Sequence, residues 1–275
     1  MAKRGPETTS ESLNIRRSNL KPERWFGQDA GDSPGEASAT LPLLIIDASG
    51  QSASIAICCM SNGQLTAWEV FIPAGCVASL IAVAIEQALQ AAGLQARELS
   101  AIAVANGPGS FTGLRIALAT ARSLAWALSI PAAGFSSLSA IAASYYAGTD
   151  RGPAVAHVLT NAYRGEWFYA QCSQERSASA AVPPAQLTHR CGEDCRMTKQ
   201  EILEIFNSDA TLLIAEEDLP AAEKLWLGDS PRPTLVPVRR DAASMYALAI
   251  ASDFRDADVL LPRYLRGSAA EENRS

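Results

Sequence analysis

The sequence predicts an α/β protein in which mixed β-sheets are flanked by helices. Short apolar runs typical of buried strands alternate with Ala-rich helical segments, and the ordered part of the chain opens with antiparallel strands. The 275 residues, 48% of them hydrophobic, are enough to bury a sizeable core. The net charge of −6 argues against a stand-alone nucleic-acid-binding surface, because such surfaces depend on clustered Lys and Arg.

Residues 1–42 are expected to form a disordered extension. They are polar, carry equal numbers of acidic and basic side chains, and show neither helical nor strand periodicity. Such a segment cannot bury enough apolar surface to offset the entropy of ordering it. We expect an N-terminal domain over residues 43–148, which contains the partner-binding helices discussed below, and a C-terminal domain over residues 149–275.

The elements of the N-terminal half follow from apolar runs and from turn signals such as Asn62-Gly63 and Gly93. In chain order, we expect strands at residues 43–46, 54–59 and 64–71, a helix over 77–92, a strand at 101–105 and an Ala-rich helix over 114–128.

The C-terminal half repeats the alternation of strands and helices, with a long polar loop from residue 173 to residue 196. The expected elements are strands at 154–160, 166–172 and 211–215 and helices at about 198–206, 219–226 and 241–254.

The sequence also indicates the cellular compartment in which we expect the protein and the redox state of its cysteines. No run of about 18 apolar residues occurs that would span a membrane. The N-terminus shows no apolar segment of a secretory signal, so we expect a cytoplasmic protein. The six cysteines are then expected to be reduced, mostly buried thiols rather than a disulfide framework.

A glycine-rich loop connects the strand at 101–105 to the following helix. Glycines at such a junction allow a tight turn and can direct backbone N–H groups at an anion. The spacing Gly-x-Gly-x-x-x-Gly is one residue too long for the dinucleotide fingerprint, and no Lys-Ser/Thr follows as in a P-loop. Anion or nucleotide binding and close packing of a glycine turn both remain open. The candidate ligand-binding residues are Asp47, Ser49, Gly107, Gly109 and Ser110, although Ser110 is also placed to cap the helix.

Four segments share their order with a known family. The segment Gly107–Arg115 (GPGSFTGLR) resembles the signature of the TsaB (YeaZ) family. Residues 44–49 (LIIDAS) resemble its opening strand and Asp-Thr-Ser turn, 136–142 (SSLSAIA) its Ser-Ser-Leu segment, and 262–266 (PRYLR) its C-terminal Pro-x-Tyr-Leu-Arg. The resemblance covers roughly residues 43–267, and the glycine loop is its most specific part.

This chain departs from the family pattern at three places. Val77-Ala78 replaces a common His-Ser, Ala48 replaces a common Thr, and Asn161 replaces the Asp of a second-half turn. We therefore do not expect this chain to have the polar functions that the family's side chains serve at these three places, but we do expect it to have the family's fold.

The resemblance implies tandem actin-like (ASKHA, RNase-H-like) domains. It also implies a place in the complex that installs N6-threonylcarbamoyl on adenosine 37 of tRNAs that read ANN codons. In that family TsaB is a non-catalytic scaffold, a TsaD-like subunit performs the transfer, and a TsaE-like subunit is the ATPase. The chain would bind the TsaD-like subunit, or a second copy of itself when alone, and would reach tRNA only indirectly. It would hold no cofactor of its own, with ATP or ADP left open at the complex interface.

The residues themselves favour a non-catalytic chain. His157 and His189 are not paired at ligand spacing, and the cluster of His189 with Cys191 and Cys195 lacks a clear fourth ligand. No Gly-x-Ser-x-Gly elbow is present, so a peptidase nucleophile is not found. We therefore expect no catalytic residue and no metal site. The alternative is an actin-like ATP-binding enzyme that uses Asp47 and the glycine loop.

The helices over residues 77–92 and 114–128 are apolar around most of their circumference. Such helices are buried on both sides, either in a core or at an interface. The resemblance implies a four-helix contact with the partner here. We expect Arg115, Arg122 and Trp126 to be its polar and aromatic anchors, because such residue types are enriched at interfaces. The expected interface residues are Leu80, Ile81, Ala84, Ala88, Leu114, Arg115, Leu118, Ala121, Arg122 and Ala125. A fully intramolecular Ala-rich core is the alternative.

Overall fold

The computed structural model describes residues 13–20, 41–149, 155–176, 187–205, 211–226 and 233–265. Most of the expected N-terminal extension, and Arg266 of the C-terminal motif, lie outside the described residues. The strands are β1 (Ile15–Asn19), β2 (Leu43–Asp47), β3 (Ala53–Ser61), β4 (Gln64–Ile72), β5 (Ala101–Gly107), β6 (Ala132–Ser136), β7 (Val155–Tyr163), β8 (Glu166–Arg176), β9 (Leu187–Cys191), β10 (Cys195–Thr198), β11 (Thr211–Ala215) and β12 (Thr234–Val238). The helices are α1 (Val77–Ala92), α2 (Phe111–Leu128), α3 (Ser137–Ala147), α4 (Lys199–Ile205), α5 (Leu219–Leu225) and α6 (Tyr246–Ile250).

Two sheets of the same topology succeed each other along the chain. The first has the order β1-β4-β3-β2-β5-β6, and the second has the order β10-β8-β7-β11-β12 with β9 also paired to β8. In each half, antiparallel strands come first, and two parallel strands are then added on the other side of the leading strand. The expected α/β fold with mixed sheets flanked by helices is confirmed.

The leading strand β2 is buried on both faces, as its continuous apolar run predicts. Leu44 and Ile46 face a core shared with α1 and α2, whereas Leu43 and Ile45 face a core shared with residues 242–250. The first sheet therefore lies between two layers, and α1 and α2 form the outer layer on one side of it.

The last helix of each half packs against the sheet of the other half. Leu138, Ile141 and Tyr146 of α3 join the core of the second sheet. The 3-10 helix Ala242–Met245 and α6 instead join the core of the first sheet. A boundary near residue 148 thus separates the sheets but not their cores, because each half contributes a helix to the other.

One part of the expected extension is ordered. β1 pairs antiparallel with β4, so the expectation of disorder is wrong for Ile15–Asn19. The sheet edge supplies backbone partners that a polar segment cannot provide for itself. Two side chains add contacts, because Arg16 forms an ion pair with Asp241 at 3.0 Å and Arg17 lies over the ring of Trp68.

The stretch expected as a polar loop contains β9 and the start of β10, and one of its cysteines, Cys191, is bonded to Cys172 of β8. β9 and β10 both pair with β8 and are separated by residues 192–194. The register places Cys172 opposite Cys191, with their Cα atoms 4.0 Å apart, and the two form a disulfide. The expectation of reduced thiols is therefore wrong for this pair. Among the described residues, no helix is long and apolar enough to cross a membrane.

Candidate functional site

Asp47 closes the leading strand of the first sheet and anchors the turn that follows. Its side chain is buried, and its Oδ1 accepts hydrogen bonds from the Ser49 backbone N–H at 2.8 Å and from the Ser49 hydroxyl at 2.6 Å. The second half repeats this device with Asn161, whose Oδ1 accepts the backbone N–H of Tyr163 at 2.7 Å. An amide serves this purpose as well as a carboxylate, so the structural role survives the replacement of Asp by Asn at residue 161.

The glycine loop packs directly against the Asp47 turn. The Ser110 N–H donates to the Ser49 carbonyl oxygen at 2.6 Å. A Cβ atom at Gly109 would clash with that same oxygen, and one at Gly113 would clash with the carbonyl oxygen of Ala48. These glycines therefore permit close backbone approach within the protein.

The N–H groups at the start of α2 are partly satisfied from within the chain. Ser110 is the N-cap residue, and its hydroxyl accepts the Gly113 N–H at 3.3 Å. Together with the Ser110 N–H bonded to Ser49, two of the donors that an anion would use already have protein partners. The structure thus brings Asp47, Ser49, Gly109 and Ser110 together, with packing as the visible purpose.

A C-terminal strap, which we define as residues 256–264, runs beside α2. The Arg263 N–H donates to the Asn106 carbonyl at 2.7 Å, and a Cβ atom at Gly107 would lie 2.6 Å from the Arg263 carbonyl oxygen. The Tyr264 hydroxyl accepts a hydrogen bond from Arg115 Nε at 3.1 Å. The C-terminal motif and the glycine-loop motif, far apart in sequence, are therefore adjacent in space.

The cleft between the two halves, where the turn after β2 meets the residues that follow β11 and β12, is bridged by an ion pair. Arg240 Nη1 lies 3.2 Å from Glu217 Oε1, and the same carboxylate oxygen accepts the Gln51 N–H at 3.1 Å. A Cβ atom at Gly50 would clash with both charged side chains. Glu217 thus occupies the backbone donor at this turn that a phosphate would need. A shallow cavity of about 250 Å³ remains beside this pair, lined by Ser52, Ala215, Glu216, Glu217, Val238, Arg239 and Arg240.

Most of the residues expected at a partner interface lie inside the protein's own core. The prediction of an exposed interface is wrong for the buried ones, because they form the faces of α1 and α2 that rest on the first sheet. They are Ile81, Ala84, Ala88, Leu114, Leu118, Ala121 and Ala125. Leu80 is half-buried, while Arg115 and Arg122 are exposed.

The opposite side of the same two helices is exposed and poor in charge. It carries Ala82 and Val83 of α1 and Ala119, Ser123 and Trp126 of α2, which we call the helical face. Trp126 is 81% exposed and Val83 is 42% exposed. Large exposed aromatic side chains of this kind are typical of binding surfaces. Sequence periodicity could have predicted this face. Once the apolar residues that repeat along one side of each helix are placed against the sheet, the opposite side is left exposed.

One cysteine of the cluster formed by His189, Cys191 and Cys195 is not free to bind a metal. Cys191 is in the disulfide, so its sulfur is not available as a thiolate ligand. His157 lies 2.9 Å from the Tyr169 hydroxyl, and burial lowers its pKa. Within the described ranges, no group of three or more His, Cys, Asp or Glu side chains is placed to hold a metal ion.

Comparisons with known proteins agree that this chain is similar to TsaB and TsaD. The sequence profile described as TsaD, tRNA N6-adenosine threonylcarbamoyltransferase, matches residues 77–185. The tRNA threonylcarbamoyladenosine biosynthesis protein TsaB of Bacillus subtilis is 52% identical over 48 residues, which are 18% of this chain and 21% of that protein. The chain is therefore similar to the TsaB and TsaD proteins over part of its length.

A second relative and a solved structure extend the similarity. The tRNA N6-adenosine threonylcarbamoyltransferase of Geotalea uraniireducens is 44% identical over 54 residues, 20% of this chain and 16% of that protein. These curated relatives are thus matched over about a fifth of their length. The crystal structure of YeaZ from Pseudomonas aeruginosa superimposes with a TM-score of 0.63 at 22% identity, covering 81% of this chain and 99% of that one. That likeness confirms the fold.

Proposed function

We propose that this chain is a non-catalytic scaffold subunit that binds and activates a TsaD-like catalytic subunit, and so takes part in the transfer of threonylcarbamoyl to adenosine 37 of ANN-decoding tRNAs. The observation that carries the proposal is the helical face, an exposed apolar surface on the two outer helices α1 and α2. The names of the TsaB and TsaD relatives support the pathway.

The chemistry of the helical face supports a protein partner. Small side chains such as Ala82 and Ala119 allow the helices of another subunit to approach closely, while Trp126 supplies a large contact area. The charged side chains of α2, Arg115 and Arg122, are both basic and exposed. An acidic rim on the partner would complement them. A second copy of the chain would use the same face when the partner is missing.

The rest of the proposed assembly follows from the same role. A TsaE-like ATPase would supply nucleotide hydrolysis, and tRNA would be held by the partners rather than by this acidic chain. The ion pair between Arg240 and Glu217 occupies part of the cleft between the halves, and Glu217 already accepts the Gln51 N–H, which favours a chain without a nucleotide of its own. ATP or ADP at the interface between subunits is compatible with this arrangement.

The competing proposal is an actin-like ATP-binding enzyme, and one observation favours it. Asp47 Oδ2 is buried and has no hydrogen-bond partner among the described residues. A carboxylate oxygen of this kind is suited to a hydrated cation that carries a phosphate. If the purified chain hydrolyses ATP alone, and loses that activity in the Asp47→Ala variant, the enzyme reading is correct and the scaffold reading fails.

Co-purification with the TsaD-like subunit tests the scaffold proposal. Because Ala121 and Ala125 are buried, charged residues there would test folding rather than binding. The informative variant is Ala119→Glu with Ser123→Glu, two exposed positions one helical turn apart. Lys224→Glu is the matched control, since it changes the net charge by the same amount at an exposed position of α5.

The scaffold proposal predicts loss of the partner from the Ala119→Glu/Ser123→Glu variant and normal recovery with Lys224→Glu. Equal recovery of the partner by both variants, with both shown to be folded by circular dichroism, would remove the helical face from the proposal.

A further inference from the structure

The disulfide lies beside an irregularity in the edge strand of the second sheet. On β8, Cys172 and Tyr169 are three residues apart, whereas their partners Cys191 and Cys195 are four residues apart. One extra residue is thus inserted between β9 and β10, which is the arrangement of a β-bulge. In the described part of the chain, β9 is an edge strand that pairs with β8 alone. The disulfide therefore adds a covalent link to a strand that is otherwise held on one side by hydrogen bonds.

The bulge turns Asp194 into the protein, where it joins three parts of the chain. Its Oδ1 accepts a hydrogen bond from the Ser136 hydroxyl at 2.9 Å, and its Oδ2 lies 3.1 Å from Arg263 Nη1. Ser136 is the N-cap residue of α3, and Arg263 belongs to the C-terminal strap. Burial raises the pKa of Asp194, while Ser136 and Arg263 favour its charged form. Asp194 therefore connects the second sheet to the strap.

The strap in turn contacts the start of α2. Tyr264 bonds Arg115, and its ring packs on Phe111 with the centroids 5.1 Å apart. Two residues separate Cys191 from Asp194, and the first of them, Gly192, continues the pairing with β8 because its N–H donates to the Gln171 carbonyl at 2.8 Å. The position of Asp194 is thus set by the pairing that the disulfide holds.

We propose that the Cys172–Cys191 disulfide is a redox-sensitive clamp that controls, through Asp194, how firmly the C-terminal strap is held against α2. In the oxidised chain, β9 is fixed at its last residue and Asp194 holds Arg263. In the reduced chain, β9 is held by strand hydrogen bonds alone, so the bulge opens more often and the strap is released with it.

The reductant is a dithiol. One of its thiolates attacks Sγ of half-buried Cys191, the Cys172–Cys191 bond breaks, and Cys172 leaves as a thiolate that takes up a proton. The second thiol of the reductant then breaks the mixed disulfide and releases Cys191 as a thiol. Two electrons pass from the dithiol to the protein disulfide, and the reductant leaves as its own disulfide. Cys195 is a poor competitor, because burial and the neighbouring carboxylates raise its pKa.

Hydrogen exchange of the strap tests the clamp without any partner protein. The Arg263 amide, bonded to Asn106 in the closed strap, is the reporter. Thiol titration should count four free cysteines before treatment with dithiothreitol and six after it. On reduction, we expect exchange in a peptide covering residues 256–265 to become about three- to tenfold faster.

Three variants separate the clamp from a general loss of structure. Cys191→Ser should exchange fast with and without dithiothreitol, and Asp194→Asn should do the same because the link to Arg263 is lost. Cys195→Ser, the matched control on the next strand, should respond as the unmodified chain does. Unchanged strap exchange in a chain shown to have passed from four to six thiols would overturn the proposal, and so would six free thiols before reduction.

A second measurement asks whether the clamp affects the proposed function, and this one rests on that function. If α2 binds the TsaD-like subunit, reduction should weaken the affinity severalfold in the unmodified chain and leave Cys191→Ser unaffected. A redox-dependent strap combined with failure to bind the TsaD-like subunit would refute the proposed function and leave the clamp intact.

Discussion

Replacing Gly113 with alanine distinguishes a packing turn from an anion-binding loop. Gly113 lies in the first turn of α2, where a Cβ atom would clash with the Ala48 carbonyl oxygen and lie 3.2 Å from its carbon. The obstacle is backbone, so the turn or the helix must move. Overpacking of this kind costs about 1–3 kcal/mol. The better helix propensity of alanine offsets at most about 1 kcal/mol.

We therefore expect Gly113→Ala to lower the free energy of unfolding by about 2 kcal/mol, which is a fall in Tm of about 4–8 °C for a chain of this size. The assay is thermal unfolding by circular dichroism with no nucleotide or phosphate present. Gly148→Ala is the control, because a Cβ atom there meets only the Tyr145 carbonyl oxygen at an ordinary 3.7 Å. An unchanged Tm for Gly113→Ala, with loss of a nucleotide-induced rise in Tm, would refute the packing interpretation.

Three further predictions concern buried charges and the disulfide. Burial raises the pKa of Glu69 to about 8, so the folded chain keeps a proton that the unfolded chain releases above about pH 5. The urea concentration at the midpoint of unfolding should therefore fall as the pH rises from about 5 to about 8. The Glu69→Gln variant should remove this pH dependence. Arg240→Gln leaves Glu217 without its cation in a partly exposed cleft. A double-mutant cycle with Glu217→Gln should give a coupling free energy of about 1–2 kcal/mol in unfolding experiments. A coupling of zero would show that the pair does not hold the halves together. The loss of the disulfide in Cys172→Ser with Cys191→Ser should cost about 3 kcal/mol for a sequence separation of 19, measured as a lower Tm without reductant; a Tm equal to that of the parent would contradict it.

Local signals were sufficient for most of the first sheet. The apolar run at 43–46 and the Asn62-Gly63 turn predicted β2 and the β3–β4 hairpin, and Gly93 ends α1 in the left-handed conformation as expected. The N-cap role of Ser110 was also predictable, since its hydroxyl needs only neighbouring backbone. These features depend on residues close in sequence.

Features that depend on distant partners were missed. β1 is stabilised by the edge of β4 rather than by its own composition. The disulfide depends on the register between β8 and β9, which cannot be read from the spacing of two cysteines. We expected a partner to bury Ala121, which in fact lies in the protein's own core. Periodicity shows that one face of a helix is covered, but it does not show what covers it.

The spatial meeting of the family motifs was also beyond sequence reasoning. Ala48, which follows Asp47, and Gly113 approach each other because β2 and β5 are parallel neighbours whose carboxyl ends lie at one edge of the sheet. Tyr264 reaches Arg115 only because the chain returns from the second half to the first. Topology therefore carries most of the information about the candidate site.

The most direct test of the scaffold account is the threonylcarbamoyladenosine content of tRNA in cells depleted of this chain and supplied with variants. The account predicts that depletion removes the modified nucleoside, and that the unmodified chain and Asp47→Ala both restore it, because no chemistry passes through Asp47. Ala119→Glu with Ser123→Glu should fail to restore it, while Lys224→Glu succeeds. Failure of Asp47→Ala with a normal Tm, or full restoration by the helical-face variant, would contradict the account.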